Sequence, residues 1–489
     1  PNFAIRHNLL ILASIQEKSM TQSDPFTHDQ FQAAIEQMHA QREVLLGLVR
    51  PLSHTMRSWK PNDSQLNIHE ILMHIGMQEC AWVSKLGQTI SAPSEVTLMR
   101  YLHQSREVVL ARLQQLSAGP LAATFADGWD VPRVLQQILT HEQAQTERIE
   151  AILAQWRLHL LARLAAERAG LFAVLLGLSE TQLTEGEPMP GWTVKDLLAH
   201  VAFWDGFHTN RMQMVVDGRS HEIMEVGDDD DMAAFNARLL ADHKAMPLEQ
   251  AIAMLFKERS GFLQTLQRLS ETELQGQIRL PWGWRTYMRV WARWRYQHDA
   301  EHAQHILAWR ETLAPEEKRH IGPKNVLRAL LQLCRKEFVA LLPLVPEAEW
   351  TSRPVCGVWT MKDLVGHLTA WAEVGGEAVT QVLAGETPSR EPITDFNARN
   401  MEQAAKRASL PWESIWEAYE KSYQVLLHGL DNLSEAQLAL EFTTPWGSQI
   451  SLYRWLAIWP LHEREHAIDV RHALNLTRWP KRFTEHPAP

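Results

Sequence analysis

The chain has 489 residues, 45% of them hydrophobic, with a formal net charge of −10 and a pI near 6.2. That length exceeds one ordinary core and suggests about three domains. The acidic balance, with Lys and Arg scattered rather than gathered in a stripe, argues against a nucleic-acid partner, and no apolar run approaches the ~20 residues that a membrane span needs.

Taken in order, residues 1–27 read as an N-terminal extension. Pro1 to Ser19 holds a short apolar run, Leu9 to Ala13, with one Arg upstream and no small-residue cleavage site, so it does not read as a signal peptide. Three segments then repeat one order of landmarks, at 28–157, 158–313 and 324–478, followed by a tail at 479–489. Each opens with an amphipathic helix, about 28–50, 158–178 and 324–344. Next comes a helix-start signal: Asn67-Ile-His-Glu70, Trp192-Thr193-Val-Lys-Asp196 and Trp359-Thr360-Met-Lys-Asp363. The Asn or Thr can cap the helix, and the acid three residues on can reach back to the cap, as in a capping box. Four residues after that acid comes His74, His200 or His367.

The two later segments share Phe235-Asn236-Ala-Arg238 and Phe396-Asn397-Ala-Arg399, then a helix near 248–269 or 412–430. Both carry Pro-Trp-Gly, at 281–283 and 445–447, with Phe125 at the Trp position of the first segment. Sixteen residues after each of these aromatics comes a His: His141, His298 or His462. Apolar residues recur at spacings of three and four, as in Leu327, Leu330, Leu331, Cys334 and Phe338, with no convincing strand alternation. The fold class expected is all-α, as three tandem four-helix bundles. The absence of Gly and Pro from Arg133 to Ala169 predicts one helix running from the first bundle into the second, whereas Ala314 to Pro323 reads as a Pro-bounded linker.

The chemistry lies in the histidines. His298 and His302, like His462 and His466, are four apart and so share one helix face, a spacing that lets two imidazoles hold one metal ion. Composition alone yields roughly one such pair by chance, but both pairs stand at the same distance from a Pro-Trp-Gly. In an antiparallel bundle His200 can meet His298 and His302, and His367 can meet His462 and His466. Three imidazoles leave positions on a metal open for water or substrate. Zn, Ni, Fe and Mn all suit such a set as divalent ions. In the first segment His74 and His141 form a lesser candidate set, because Gln145 stands where the second His of the pair belongs. The alternative is that these are histidines retained by duplication of an ancestral repeat.

Glu301 and Glu465, with Asp299 and Glu463, are acids beside the paired histidines. They can orient imidazoles or accept protons, or lie off the metal-facing stripe in solvent, the reading favoured by their positions. His305 and Asp469, seven after the first His of each pair, are further candidates on the same face. Asp228 to Asp231 reads as a solvated run leading into a helix. The 20 Trp read mainly as core filling. Cys80, Cys334 and Cys356 imply no disulfide framework, read as small core residues, and lead to the expectation of a cytoplasmic setting.

The motifs Trp192-Thr-Val-Lys-Asp-Leu-Leu-Ala-His200 with His298-Asp-Ala-Glu-His302, and Trp359-Thr-Met-Lys-Asp-Leu-Val-Gly-His367 with His462-Glu-Arg-Glu-His466, resemble the DinB-like superfamily. Those metal-binding four-helix bundles include thiol-dependent maleylpyruvate isomerases and related S-transferases. The resemblance is good across about 160–310 and 325–475 and weaker across 28–157. It implies a divalent metal on the six histidines named, a low-molecular-weight thiol as co-substrate, and self-association or its internal equivalent. The function expected is a metal-dependent enzyme acting with a thiol or water on a small electrophile. The alternative is a non-enzymatic helical scaffold that binds metal or a small ligand. No nucleic-acid or membrane partner is expected.

Overall fold

The computed structural model describes residues 26–61, 65–93, 97–121, 123–226 and 229–476. Nearly all of the expected N-terminal extension, the tail at 479–489 and Asp228 lie outside them. The described chain is all-α, 71% helical with 17 helices. None of these helices is long and apolar enough to cross a membrane. The chain divides into two compact units, residues 1–153 and 154–489.

In the first unit, α1 (His28–Val49), α2 (Ile68–Ser84), α3 (Leu98–Ser117) and the start of α4 (Val131–Ala173) bury one apolar stripe each. Phe31, Met38, Val83, Val109, Leu113 and Ile138 form the centre of that core. α4 is a single helix of 43 residues, as the absence of Gly and Pro predicts.

The second unit continues with α5 (Val194–Val216), α6 (Leu248–Arg268) and α7 (Met288–Thr312), then α8 (Lys324–Val339), α9 (Met361–Leu383), α10 (Trp412–Asn432) and α11 (Leu452–Ala473). The two later repeats share α8. Val326, Leu330, Leu333 and Cys334 pack with Leu171, Leu198 and Ile306. Leu327 and Leu331 pack with Trp371, Leu430 and Leu456. A helix apolar on both sides must be covered on both sides, so α8 ties the two repeats into one body.

Local chemistry sets where the site helices begin. Asn67, Thr193 and Thr360 each cap their helix, and Glu70, Asp196 and Asp363 complete the three capping boxes. The sequence shows no convincing strand alternation, and the described residues hold only three short hairpins, with strands of two or three residues. β1 (Gln277–Arg279) pairs with β2 (Arg285–Tyr287), β3 (Pro354–Cys356) with β4 (Trp359–Thr360), and β5 (Glu441–Thr443) with β6 (Gln449–Ser451). They are too short to show alternation. Pro-Trp-Gly proves to be the turn of the first and third hairpins. Gly283 and Gly447 both have φ 88°, the left-handed region that favours Gly. Their N–H groups donate to Leu280 O and Thr444 O, each at 2.9 Å. A four-residue turn closed by a left-handed Gly thus stands just ahead of α7 and of α11, in the same register in both repeats.

Candidate metal centres in the later repeats

Each capped helix start places one His opposite a pair on the fourth helix. His200 Nε2 lies 3.0 Å from His298 Nε2, which lies 2.9 Å from His302 Nε2. In the third repeat His462 Nε2 stands 3.0 Å from both His367 Nε2 and His466 Nε2. The structure therefore brings together all six histidines singled out by spacing, as two groups able to hold a metal ion.

Burial pushes His200 and His302 down to about 3, with neighbouring His and Arg charges adding to it. Burial likewise lowers His367 to about 2 and His462 to about 4, and holds His298 well below its usual range. With their Nε2 atoms converging, and with these five held neutral by burial, the imidazoles offer lone pairs, so both donor sets fit a divalent cation. Behind the third-repeat group, His466 Nδ1 is 3.0 Å from Asp469 Oδ2, a contact that fixes the ring's orientation. The corresponding neighbour in the second repeat is His305, whose Nδ1 lies 3.4 Å from His302 Nδ1.

The depressed values set a pH dependence. In the unfolded chain these histidines take up protons near pH 6.5, while in the fold they stay neutral to about pH 4 or below. The unfolded state thus binds more protons through that window, and folding stability falls as pH falls from about 6.5 toward 4. Metal-free protein will melt at progressively lower temperature from pH 7 to 4.5, and His200→Gln with His367→Gln will flatten the slope. A melting temperature independent of pH in that window would contradict this reading.

The first repeat is different. His74 and His141 lie with ring centroids 5.2 Å apart and His141 also packs on Trp82. Among the described residues no three-donor group includes either of them.

Two of the four acids were misplaced by the sequence reading. Glu301 and Glu465 are exposed, as expected, but Asp299 and Glu463 are not solvated: both are buried. Arg168 and Arg259 both bind Asp205 and Asp299 at 2.8–2.9 Å, with all four side chains nearly inaccessible. In the first repeat Arg42 and Arg106 bind Glu79 and Glu142 in the same pattern. Burial by itself raises the Asp205 carboxyl, but Arg259 and Arg168 overcome it and hold it below the usual range. In the third repeat only one such pair remains, Arg335 with Glu463 at 2.8 Å. Ala372 and Tyr423 occupy the places of Asp205 and Arg259, and Tyr419 donates its hydroxyl to Glu463. The signal was present in the sequence: an Arg stands thirty-two residues before each of His74, His200 and His367. A residue next to a ligand on a helix points about 100° away from it, so the acid after each first His faces the ionic core.

Aromatic walls complete two clefts. That of the second repeat, about 640 Å³, is lined by Trp204, Trp282, Trp284 and Trp294 with His208, Arg211 and Arg295. That of the third, about 860 Å³, is lined by Trp359, Trp371, Phe396, Trp446 and Trp459. The Trp204 indole N–H donates to Asn236 and that of Trp371 to Asn400. Phe235 and Phe396 pack alike on these indoles, but the Asn that takes the indole N–H in the third repeat is Asn400, one helical turn after Asn397. Cys80 and Cys334 are buried as expected, whereas half-buried Cys356 lines the third-repeat cleft, 3.3 Å from Asp469. Burial and Asp469 push its thiol up to about 11, so it stays protonated.

Gly375 is needed for close approach. A Cβ there would lie 2.4 Å from Trp459 Nε1. Gly375→Ala is expected to cost about 1–3 kcal/mol by overpacking and to shift Trp459, read by denaturation and tryptophan fluorescence. An unchanged spectrum and midpoint would show that the wall is soft.

No curated protein and no solved structure matches the chain. The family model described as the DinB superfamily matches it twice, at residues 163–306 and 330–469, over more than half its length and on the two repeats that carry the His groups. The chain therefore belongs to the DinB superfamily.

Proposed function

We propose that the second and third repeats are divalent-metal-dependent centres of an enzyme that sets a thiol or a water on a small electrophilic substrate, as an S-transferase, isomerase or hydrolase. The convergence of three imidazoles, twice, beside a Trp-lined cleft carries this reading. A divalent ion held there acts as a Lewis acid, under which a thiol or water becomes nucleophilic near neutral pH. His200, His298 and His302 would hold one ion, and His367, His462 and His466 the other. Asp469 keeps His466 turned toward its partners. The indole walls exclude water and receive an apolar substrate body. The three free thiols and the resemblance to thiol-dependent enzymes favour a cytoplasmic setting and a low-molecular-weight thiol co-substrate.

A second reading, a non-enzymatic scaffold, is favoured by the first repeat, which keeps the buried Arg–Glu core with no three-donor group among its described residues. Metal content per chain, measured by mass spectrometry on untagged protein, tests the first reading. About two equivalents are expected, with turnover of thiol plus electrophile that chelation abolishes. No metal, and no tight uptake of Zn, Ni, Fe or Mn, would sink it. Metal without turnover on such substrates would favour the scaffold.

A further inference from the structure

The ionic core of the second repeat does not balance. Arg168 and Arg259 are matched by Asp205 and Asp299. A third guanidinium, Arg295, lies within the field of both carboxylates, yet its Nε and Nη1 have no hydrogen-bond partner. Arg295 is 5% exposed and lines the cleft, one helical turn before His298 and over the face of Trp204 at 5.9 Å. A buried unpaired cation is costly and is ordinarily matched by an anion. Arg211, on the same cleft, has a free Nε and donates through Nη2 to Met224 O. Among the described lining residues the one carboxylate, Glu225, is exposed.

The third repeat shows what the fold does without this charge. Trp459 stands where Arg295 stands, Gly375 where His208 stands, and Ala378 where Arg211 stands. Among the described residues that line its cleft there is no Lys or Arg, and the one acid is the exposed Glu465. The two His groups are therefore alike while the rooms above them differ in charge. Burial lowers Arg295 only to about 10, so it remains a cation at neutral pH.

We infer that the second-repeat cleft takes an organic carboxylate with an apolar body, its negative group on Arg295 and its body among the indoles, whereas the third-repeat cleft takes an uncharged ligand. A carboxylate meets the guanidinium fork at two points and brings the single negative charge that one unmatched Arg calls for, on a body that the indoles can cover. The inference rests on reading the cleft as a small-molecule site and names its substrate class.

Benzoate and its uncharged isostere benzamide are the probes, titrated calorimetrically into the full chain. Benzoate is expected to bind one site per chain at least about tenfold more tightly than benzamide. Arg295→Met should bring the two within about twofold, and Arg295→Lys should keep most of the preference. Arg295→Met removes an unmatched charge and should hold or raise the melting temperature; Arg295→Gln serves as a second uncharged variant if Met does not fold. Equal binding of the two probes, no benzoate binding, or a preference that survives both uncharged variants would overturn the inference. Metal content measured on the same samples separates the two claims. Metal retained without a benzoate preference refutes the carboxylate site alone. Absent metal with the preference intact refutes the metal centre alone.

Discussion

Asp205→Ala will destabilise the 154–489 unit by about 3–5 kcal/mol, the cost of breaking a buried ion network by removing one partner. Asp205 accepts from Arg168 at 2.8 Å and from Arg259 at 2.8 and 3.2 Å, and it is wholly buried. Without it Asp299 alone would face Arg168, Arg259 and Arg295. The third repeat supplies the rescue. There Ala372 replaces the acid, Tyr423 replaces the second Arg, and Arg335 packs over the Tyr419 and Tyr423 rings at 3.4 and 4.5 Å. Adding Arg259→Tyr to Asp205→Ala brings that core back to its native excess of one guanidinium over the carboxylates and should recover more than half of the loss. Urea denaturation of the two single variants and the double gives the coupling directly. A loss under about 1 kcal/mol for Asp205→Ala, or a double variant weaker than the single, would show that the network is not an independent structural unit.

The second large effect concerns metal. His298→Ala with His302→Ala should lower bound metal from about two equivalents to about one, and His462→Ala with His466→Ala should do the same. All four changes together should leave none. A single remaining imidazole, His200 or His367, cannot hold an ion against solvent. The fold should survive, because the Arg–acid core faces another side of the same helix and is untouched. His141→Ala should leave metal content unchanged, since the first repeat gathers no three donors among its described residues. A metal content insensitive to both paired variants would place the ions elsewhere.

Much of this was legible in order along the chain. Local rules act within a few residues, so the capping boxes at Asn67, Thr193 and Thr360, the uninterrupted α4 and the shared face of each His pair could be read directly. Repetition supplied the rest: His200 and His367 were assigned to their pairs only because the same order of landmarks recurs. The hairpins escaped because strands of two or three residues carry no period.

What the sequence by itself determined is the all-α class, the repeat register and the six histidines, since each depends on spacing within or between equivalent helices. Tertiary structure alone decided which charges are buried. Whether Asp299 meets water or Arg168 depends on a helix 131 residues away in the chain, and a helical period says which way a side chain points but not what stands opposite it. The same is true of Arg295. Its type and position were plain in the sequence, but only packing shows that Asp205 and Asp299 are already taken by Arg168 and Arg259, which leaves its charge turned toward the cleft.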